Sequence, residues 1–428
     1  MTAEVVIYNK SAIALAADSA VSIEGSSSHK VYNNAEKLFA LTKHHPVALM
    51  IYESNELQGV PWELIIKSYR KHLADKSFDT LQEYKNDFLN FVQNFYMELP
   101  SEFKLHQLAM YLNHLVLATV DKVFEYADEL KVNESRPIDQ IDSAVNELIE
   151  RYEELPTFDG LEQFITEDIS ENFTNVAIKA LADELDTSEF TEQEDKDWLN
   201  TCNSFYALCK LRAIKQDPFY TITTGLVFAG YGDKEFFPEM LECEIYGILD
   251  NKLKVIRKQS MTNRHPGSAG LKAFAQHEEV DTFMHGICAP TRTNHYKNLE
   301  SFHRFADSLG NDIIKEYVPE DKQEEASDIF SSQLVKQAVQ RHEDMRNHTK
   351  TQFIDKVTDM VGHLPKNELA YMAESLVNLT AFKRKVSNDA DSVGGPIDVA
   401  VISKGDGFVW IKRKHYFPSE INLHLKRN

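Results

Sequence analysis

Three residues near the start of the chain have the types that amide hydrolysis needs. Thr2 directly follows Met1, Asp18 ends an apolar segment, and Lys37 leads into another. With Met1 removed, Thr2 carries a free α-amine beside its own hydroxyl. The hydroxyl can then attack a carbonyl carbon while the amine takes the proton, a recognised way of activating a weak nucleophile. An α-amine titrates near ~7.7 to 8.0, so a neighbouring cation leaves enough of it neutral to act as a base at neutral pH. Lys37 could be that cation, and Asp18 could hold its ammonium and keep it charged. Singly, each residue has an ordinary explanation: a common second residue, a turn cap, a solvated edge charge. Order and spacing together make a hydrolase the leading expectation.

The elements that must position these residues are strands. Residues 5–8 and Ala12–Ala17 read as a hairpin around the turn-like Asn9, Lys10 and Ser11. Residues 22–28 (SIEGSSS) read as a flexible loop, and residues 37–41 and 47–51 as a second strand pair. Pro61 can sit in a first helical turn, and Trp62, Ile65, Ile66 and Tyr69 recur at the spacing of one buried helix face. From about 80 to 217 the chain is acidic and helical. Strands return at 220–229 and 241–256, the latter turning at Asp250 and Asn251. Residues 269–287 read as a helix, 296–385 as a second helical region, and 397–402 and 408–411 as closing strands around the turn at 404–407. Strands, helices, strands, helices and strands make an α+β chain with segregated elements.

At 428 residues a sizeable core is available, as one domain with insertions or as two or three units. No apolar run approaches the ~20 residues of a spanning helix, and the start lacks the basic flank and apolar core of a secretory signal, so a cytoplasmic location and no membrane are expected. The net charge of -21 disfavours nucleic acid as a partner. Cys202, Cys209, Cys243 and Cys288 form no CxxC pair and read as buried free thiols. His342 and His348 are six apart, off the spacing of a metal helix, and read as a solvated face; no metal or cofactor is expected. His44 and His45 fall in a hairpin turn. Residues 230–234 lack a full glycine-rich phosphate loop and read as a turn. Trp62 and Trp410 read as core. The cluster Lys412, Arg413, Lys414 and His415, with Lys426 and Arg427, reads as a solvated strand end and tail.

Thr2 and Asp18 stand sixteen positions apart, Asp18 lies in Ala16-Ala17-Asp18-Ser19, and Lys37 opens KLFAL. In these features the chain resembles proteasome β-subunits and their bacterial relatives, the HslV-type peptidases and the Anbu-like proteins, all N-terminal-nucleophile hydrolases. Residues 225–231 (GLVFAGY) look like the family's mid-chain strand, and residues 394–402 (GGPIDVAVI) like its last core strand. The resemblance implies a four-layer αββα sandwich and amide hydrolysis through an acyl-enzyme. It divides the chain into core segments 1–79, 220–290 and 365–428, with helical insertions at 80–219 and 291–364. Carried over residue by residue, it makes Thr2 the nucleophile, Lys37 the group that tunes its amine, and Asp18 the group that orients Lys37.

For the family's supporting acid, Asp389 and Asp391 compete; Asp391 is favoured, with Ser392 beside it. Ser19, Tyr52, Glu53 and Ser392 fall in the substrate and oxyanion region, where residues 51–54 (IYES) stand in place of the family's glycine, and residues 274–277 lack its serine. The implied substrate is a polypeptide or a small amide, and the implied partners are further copies of the chain and an ATPase unfoldase. A small-amide hydrolase and a non-catalytic scaffold or regulatory subunit of the same fold are the alternatives.

Overall fold

The computed structural model describes residues 2–25, 28–130, 137–162, 176–182, 192–217, 223–258, 267–387 and 393–415. Asp389, Asp391, Ser392, Lys426 and Arg427 lie outside the described residues, as do residues 220–222 of an expected strand. The chain is a mixed α+β fold built on two antiparallel five-stranded sheets. Sheet one runs in the order β12, β1, β2, β13, β14, formed by Gly270–Ala275, Ala3–Asn9, Ala12–Ala17, Asp398–Ser403 and Gly407–Lys412. Sheet two runs β11, β10, β9, β6, β5, formed by Lys252–Arg257, Glu239–Leu249, Thr224–Gly230, Val47–Glu53 and Leu38–Ala40, and the short strands β7 (Glu56–Leu57) and β8 (Val60–Pro61) pair after β6.

β1 and β2 are buried at every position, so the alternation of apolar and polar residues that marks a half-exposed strand is missing from them. Each successive side chain still goes to the opposite face. Val6, Tyr8, Ile13, Leu15 and Ala17 meet Met50, Tyr52, Val227 and Ala229 of sheet two in one core. Val5, Ile7, Ala14 and Ala16 turn the other way, against Val280 and Met284 of one helix and Leu369, Ala373 and Val377 of another. The outer face of sheet two, with Leu49, Ile51, Leu226 and Phe228, packs on α1 (Trp62–Leu73) and α2 (Leu81–Met97). Trp62 is fully buried there and donates its indole N–H to Thr224 Oγ1 at 3.0 Å.

α2 therefore packs with the sheet, although sequence reasoning groups it with the helical insertion. Thr80 starts it with a reciprocal capping box to Glu83. The helices that do form a core of their own are α3 (Ser101–Leu130), α4 (Pro137–Glu153) and α5 (Glu192–Ile214), around Leu115, Val116, Val145, Leu148, Phe205 and Leu208, seated on Tyr246 and Leu249 of β10.

Two expectations change. Of residues 22–28, which by composition read as a flexible loop, 22–25 and 28 belong to a hairpin, β3 (Val21–Gly25) and β4 (Ser28–Tyr32), whose ladder pairs their backbone groups; residues 26 and 27 lie outside the described residues. Residues 269–287 are a strand followed by a short helix, α6 (Glu278–His285). β12 pairs with β1 from Ala3 opposite Ala275 to Tyr8 opposite Gly270, and this pairing overrides weak strand propensity. Gly270 lets the Tyr8 hydroxyl come close, since a Cβ there would stand 2.7 Å from it and the Tyr8 ring would have to shift. The expected turn at Asp250 and Asn251 is present, both residues having positive φ (47° and 56°) as a tight two-residue hairpin requires.

After α6 come α7 (Ala289–Tyr317), α8 (Glu320–Thr349), a π-helical turn at Lys350–Ile354, α9 (Asp355–Val361) and α10 (Lys366–Val386). This helical run begins seven residues before the expected position 296, with Pro290 in the first turn of α7. Asn9 fastens the run to the β1–β2 turn by donating to the carbonyls of Val361 and Leu364, each at 2.9 Å. All four cysteines are free, and only Cys288 is not buried. Trp410, expected in the core, is only half-buried on β14, with Phe408 edge-on to its ring and the Arg413 guanidinium over it. His342 lies on α8 and stacks on Tyr296 of α7. Among the described residues no helix is long and apolar enough to cross a membrane.

Candidate active site

Thr2, Asp18 and Lys37 come together at one buried point. β1 and β2 are antiparallel neighbours, so the start of one lies beside the end of the other, with Glu4 opposite Ala17. Asp18 is the first residue past β2, and its N–H donates to the Ala3 carbonyl at 3.1 Å. Lys37 immediately precedes β5 in the facing sheet, and its carbonyl accepts from Ile51 N–H at 2.8 Å. Its Nζ reaches across to Asp18 Oδ1 at 2.5 Å, and both side chains are buried.

Asp18 is held on all sides. Oδ1 also accepts from Ala3 N–H at 3.2 Å, and Oδ2 accepts from Gly394 N–H at 2.9 Å and Ala20 N–H at 3.3 Å. Gly394 belongs to the segment leading into β13, so Asp18 ties together β1, β2 and the approach to the last core strand. One ammonium and three backbone N–H groups thus converge on this carboxylate.

The sequence does not single out Glu4, yet it is central. Thr2, immediately before β1, and Glu4 within it are two positions apart, which puts Glu4 on the face that carries Val6 and Tyr8 and Thr2 at its edge. Thr2 Oγ1 donates to Glu4 Oε2 at 3.0 Å. Glu4 Oε1 lies 3.9 Å from Lys37 Nζ and has no hydrogen-bond partner among the described residues. Burial pushes the Glu4 carboxyl up to about 8 against the pull of Lys37, and the Asp18 charge raises it further. The available sequence signal was an acidic residue inside an otherwise apolar strand, two residues from the candidate nucleophile.

Gln276 is the second residue missed. Its N–H donates to the Thr2 carbonyl at 3.0 Å, and its side-chain oxygen accepts from Arg384, which also faces Glu278 at 3.6 Å. The backbone of Thr2 is thereby fixed from the β12 side, at the place where the expected serine is lacking.

The other candidates have different surroundings. Ser19 is buried and its hydroxyl donates to the Pro396 carbonyl, fastening the end of β2 to the segment before β13. Tyr52 is buried between the sheets, with its ring 5.4 Å from Phe274 and its hydroxyl donating to Glu242 Oε1 at 2.8 Å. Burial and the Glu242 charge push that phenol well above its ordinary range. Glu53 has a positive φ of 67° at the end of β6, and its exposed carboxylate accepts from the Thr223 hydroxyl. Tyr52 and Glu53 directly follow Ile51, the residue bonded to Lys37, so they stand at the Lys37 end of sheet two.

The arrangement offers a hydroxyl, an adjacent carboxylate of raised basicity and a buried ion pair. Neither a protein-family model nor a curated protein matches this sequence.

Proposed function

We propose that the chain is an N-terminal threonine hydrolase that cleaves amide or peptide bonds, with Thr2 exposed by removal of Met1. One observation carries the reading: the Lys37–Asp18 ion pair is buried beside the start of β1, next to Thr2. A buried ion pair is a poor source of stability, so its presence at a strand end is better explained by chemistry. The two facing sheets, with helices packed on the outer side of each, support reading the core as an αββα sandwich of the proteasome kind.

In this reading Thr2 Oγ1 forms a bond to the substrate carbonyl carbon. Its proton passes to the Thr2 α-amine, poised by the Lys37 ammonium, or to Glu4, whose raised basicity suits the task near neutral pH. The tetrahedral adduct collapses, the C–N bond breaks and the amine leaves with that proton. Water then attacks the ester, its proton returns by the same base, and the carboxylic acid and Thr2 are regenerated. Backbone N–H groups at the end of β6, near Tyr52 and Glu53, are the candidate oxyanion donors.

A non-catalytic subunit of the same fold is the second reading, favoured by the engagement of the Thr2 hydroxyl with Glu4. An epoxyketone probe separates the two, because it forms its ring only with a hydroxyl and a free α-amine on one residue. The expected result is an adduct mapped to Thr2 by mass spectrometry and peptide cleavage lost in Thr2→Ala. A folded protein that retains Met1, or that gives no adduct at Thr2, excludes the catalytic reading.

A further inference from the structure

β5 and β14 are each the last strand of a sheet, and the seam between them, beside α1, holds a cavity of about 410 Å³. Sites for small molecules run to ~300–1,000 Å³, so this one is large enough for a ligand. Phe39 of β5, Phe408 and Trp410 of β14, Lys67 and Arg70 of α1, and the flanking Lys43 and Arg413 line it. Aromatic surface thus stands beside four cations.

The charges of this cavity do not balance. Of its two carboxylates, Asp406 is taken by Lys366 at 2.5 Å, while Lys67 is paired with Glu63 outside the lining. Glu36 alone is left to face Lys43, Arg70 and Arg413. Its Oε1 lies 3.8 Å from Arg413 and its Oε2, buried and without a hydrogen bond, 3.5 Å from Lys67. Arg70 forms no ion pair among the described residues: Nη2 donates to the Ala40 carbonyl, and Nε is buried without a partner. Burial, and then repulsion from Arg413, act against its charge. Three cations facing one carboxylate leave two positive charges in excess, in a chain whose net charge is -21. A local cationic excess walled by apolar surface concentrates an anion.

We propose that the cavity binds a small phosphate monoester, its phosphate held by the Arg70 and Arg413 guanidinium groups and its organic part laid against Phe408 and Trp410. A guanidinium fork matches phosphate oxygens in pairs. A phosphate monoester carries about -1.5 to -2 at pH 7, which meets the excess, whereas a carboxylate supplies half of it. The inference is independent of the chemistry assigned to Thr2.

Isothermal titration of the full chain with phenyl phosphate tests it, with benzoate at matched ionic strength as the carboxylate probe. One saturable site for phenyl phosphate is expected, with benzoate bound at least about tenfold more weakly. Tryptophan fluorescence should change on binding, and the change should vanish in Trp410→Phe, which locates the ligand. Arg70→Gln and Arg413→Gln should each weaken phenyl phosphate by about tenfold. Arg413 is exposed, so its variant reads binding even if Arg70→Gln does not fold. Lys322→Gln, the same charge change at an exposed position on α8, should leave the affinity as it was. No saturable binding up to ~10 mM, benzoate bound as tightly, a fluorescence change that survives Trp410→Phe, unaltered affinity in Arg413→Gln, or an equal loss in Lys322→Gln overturns the proposal.

Discussion

Asp18→Asn is the sharpest perturbation of the site, because no orientation of the new amide fits. Oδ1 faces Lys37 Nζ and Ala3 N–H, and Oδ2 faces Gly394 and Ala20 N–H, so the NH2 group must point at two donors whichever way it turns. Lys37, 1% exposed, is left with Glu4 at 3.9 Å as its nearest carboxylate. Removing one member of a buried pair costs about 3 to 5 kcal/mol. Lys37→Met should cost less, since Asp18 keeps its three backbone donors. If the pair is coupled as the geometry indicates, the double variant should fall short of the sum of the singles by about 2 to 3 kcal/mol. The assay is urea unfolding at pH 7, followed by tryptophan fluorescence and by circular dichroism, with the midpoint and slope compared across the cycle. A cost for Asp18→Asn below about 1 kcal/mol, or singles that sum to the double within about 0.5 kcal/mol, would refute the claim that this ion pair organises the site.

Further outcomes follow from the same structure. Glu4 has a folded pKa near 8 against an ordinary 4.5, so between these values the folded state holds a proton that the unfolded state has released, and its contribution to stability falls as pH rises. Glu4→Gln should therefore raise the urea midpoint at pH 8 and change it little at pH 4.5; a flat difference across that range counts against the burial argument. Lys254 is buried under Phe158 and donates to Tyr111 at 2.8 Å, and burial holds its ammonium down to about 7. Here the unfolded state binds the extra proton between pH 7 and 10, so stability should rise with pH in the wild type, and Lys254→Met should flatten that slope. Gly225→Ala should cost about 3 kcal/mol by overpacking, because its Cβ would stand 1.8 Å from the buried Tyr52 ring; thermal and urea unfolding should both report it, and Tyr52→Leu in the same chain should recover part of the loss.

The strands that carry the site were legible because each announces itself locally. Ala12–Ala17 matches its expected bounds, β1 and β6 extend theirs by one or two residues, and the Asp250–Asn251 turn follows from residues that tolerate positive φ. The segments that misread are those whose conformation is imposed from a distance. β12 has no β-branched residue and is extended because β1 offers it a ladder. α2 looks like its helical neighbours in sequence, yet Tyr84, Phe88 and Val92 pack on sheet two while α3 to α5 pack on one another.

The same division holds at the site. Residue types and order were enough to nominate Thr2, Asp18 and Lys37, because the chemistry of a nucleophile, a cation and its counter-charge is a property of side chains in a fixed sequence. Glu4 and Gln276 could not be ranked that way. A carboxylate on an apolar strand is anomalous in any sequence, but its basicity depends on burial between two sheets and on the 3.9 Å to Lys37, both products of tertiary packing. Gln276 acts through a backbone N–H that any residue would supply, so its part is decided by where β12 ends against Thr2 and by nothing in its own side chain.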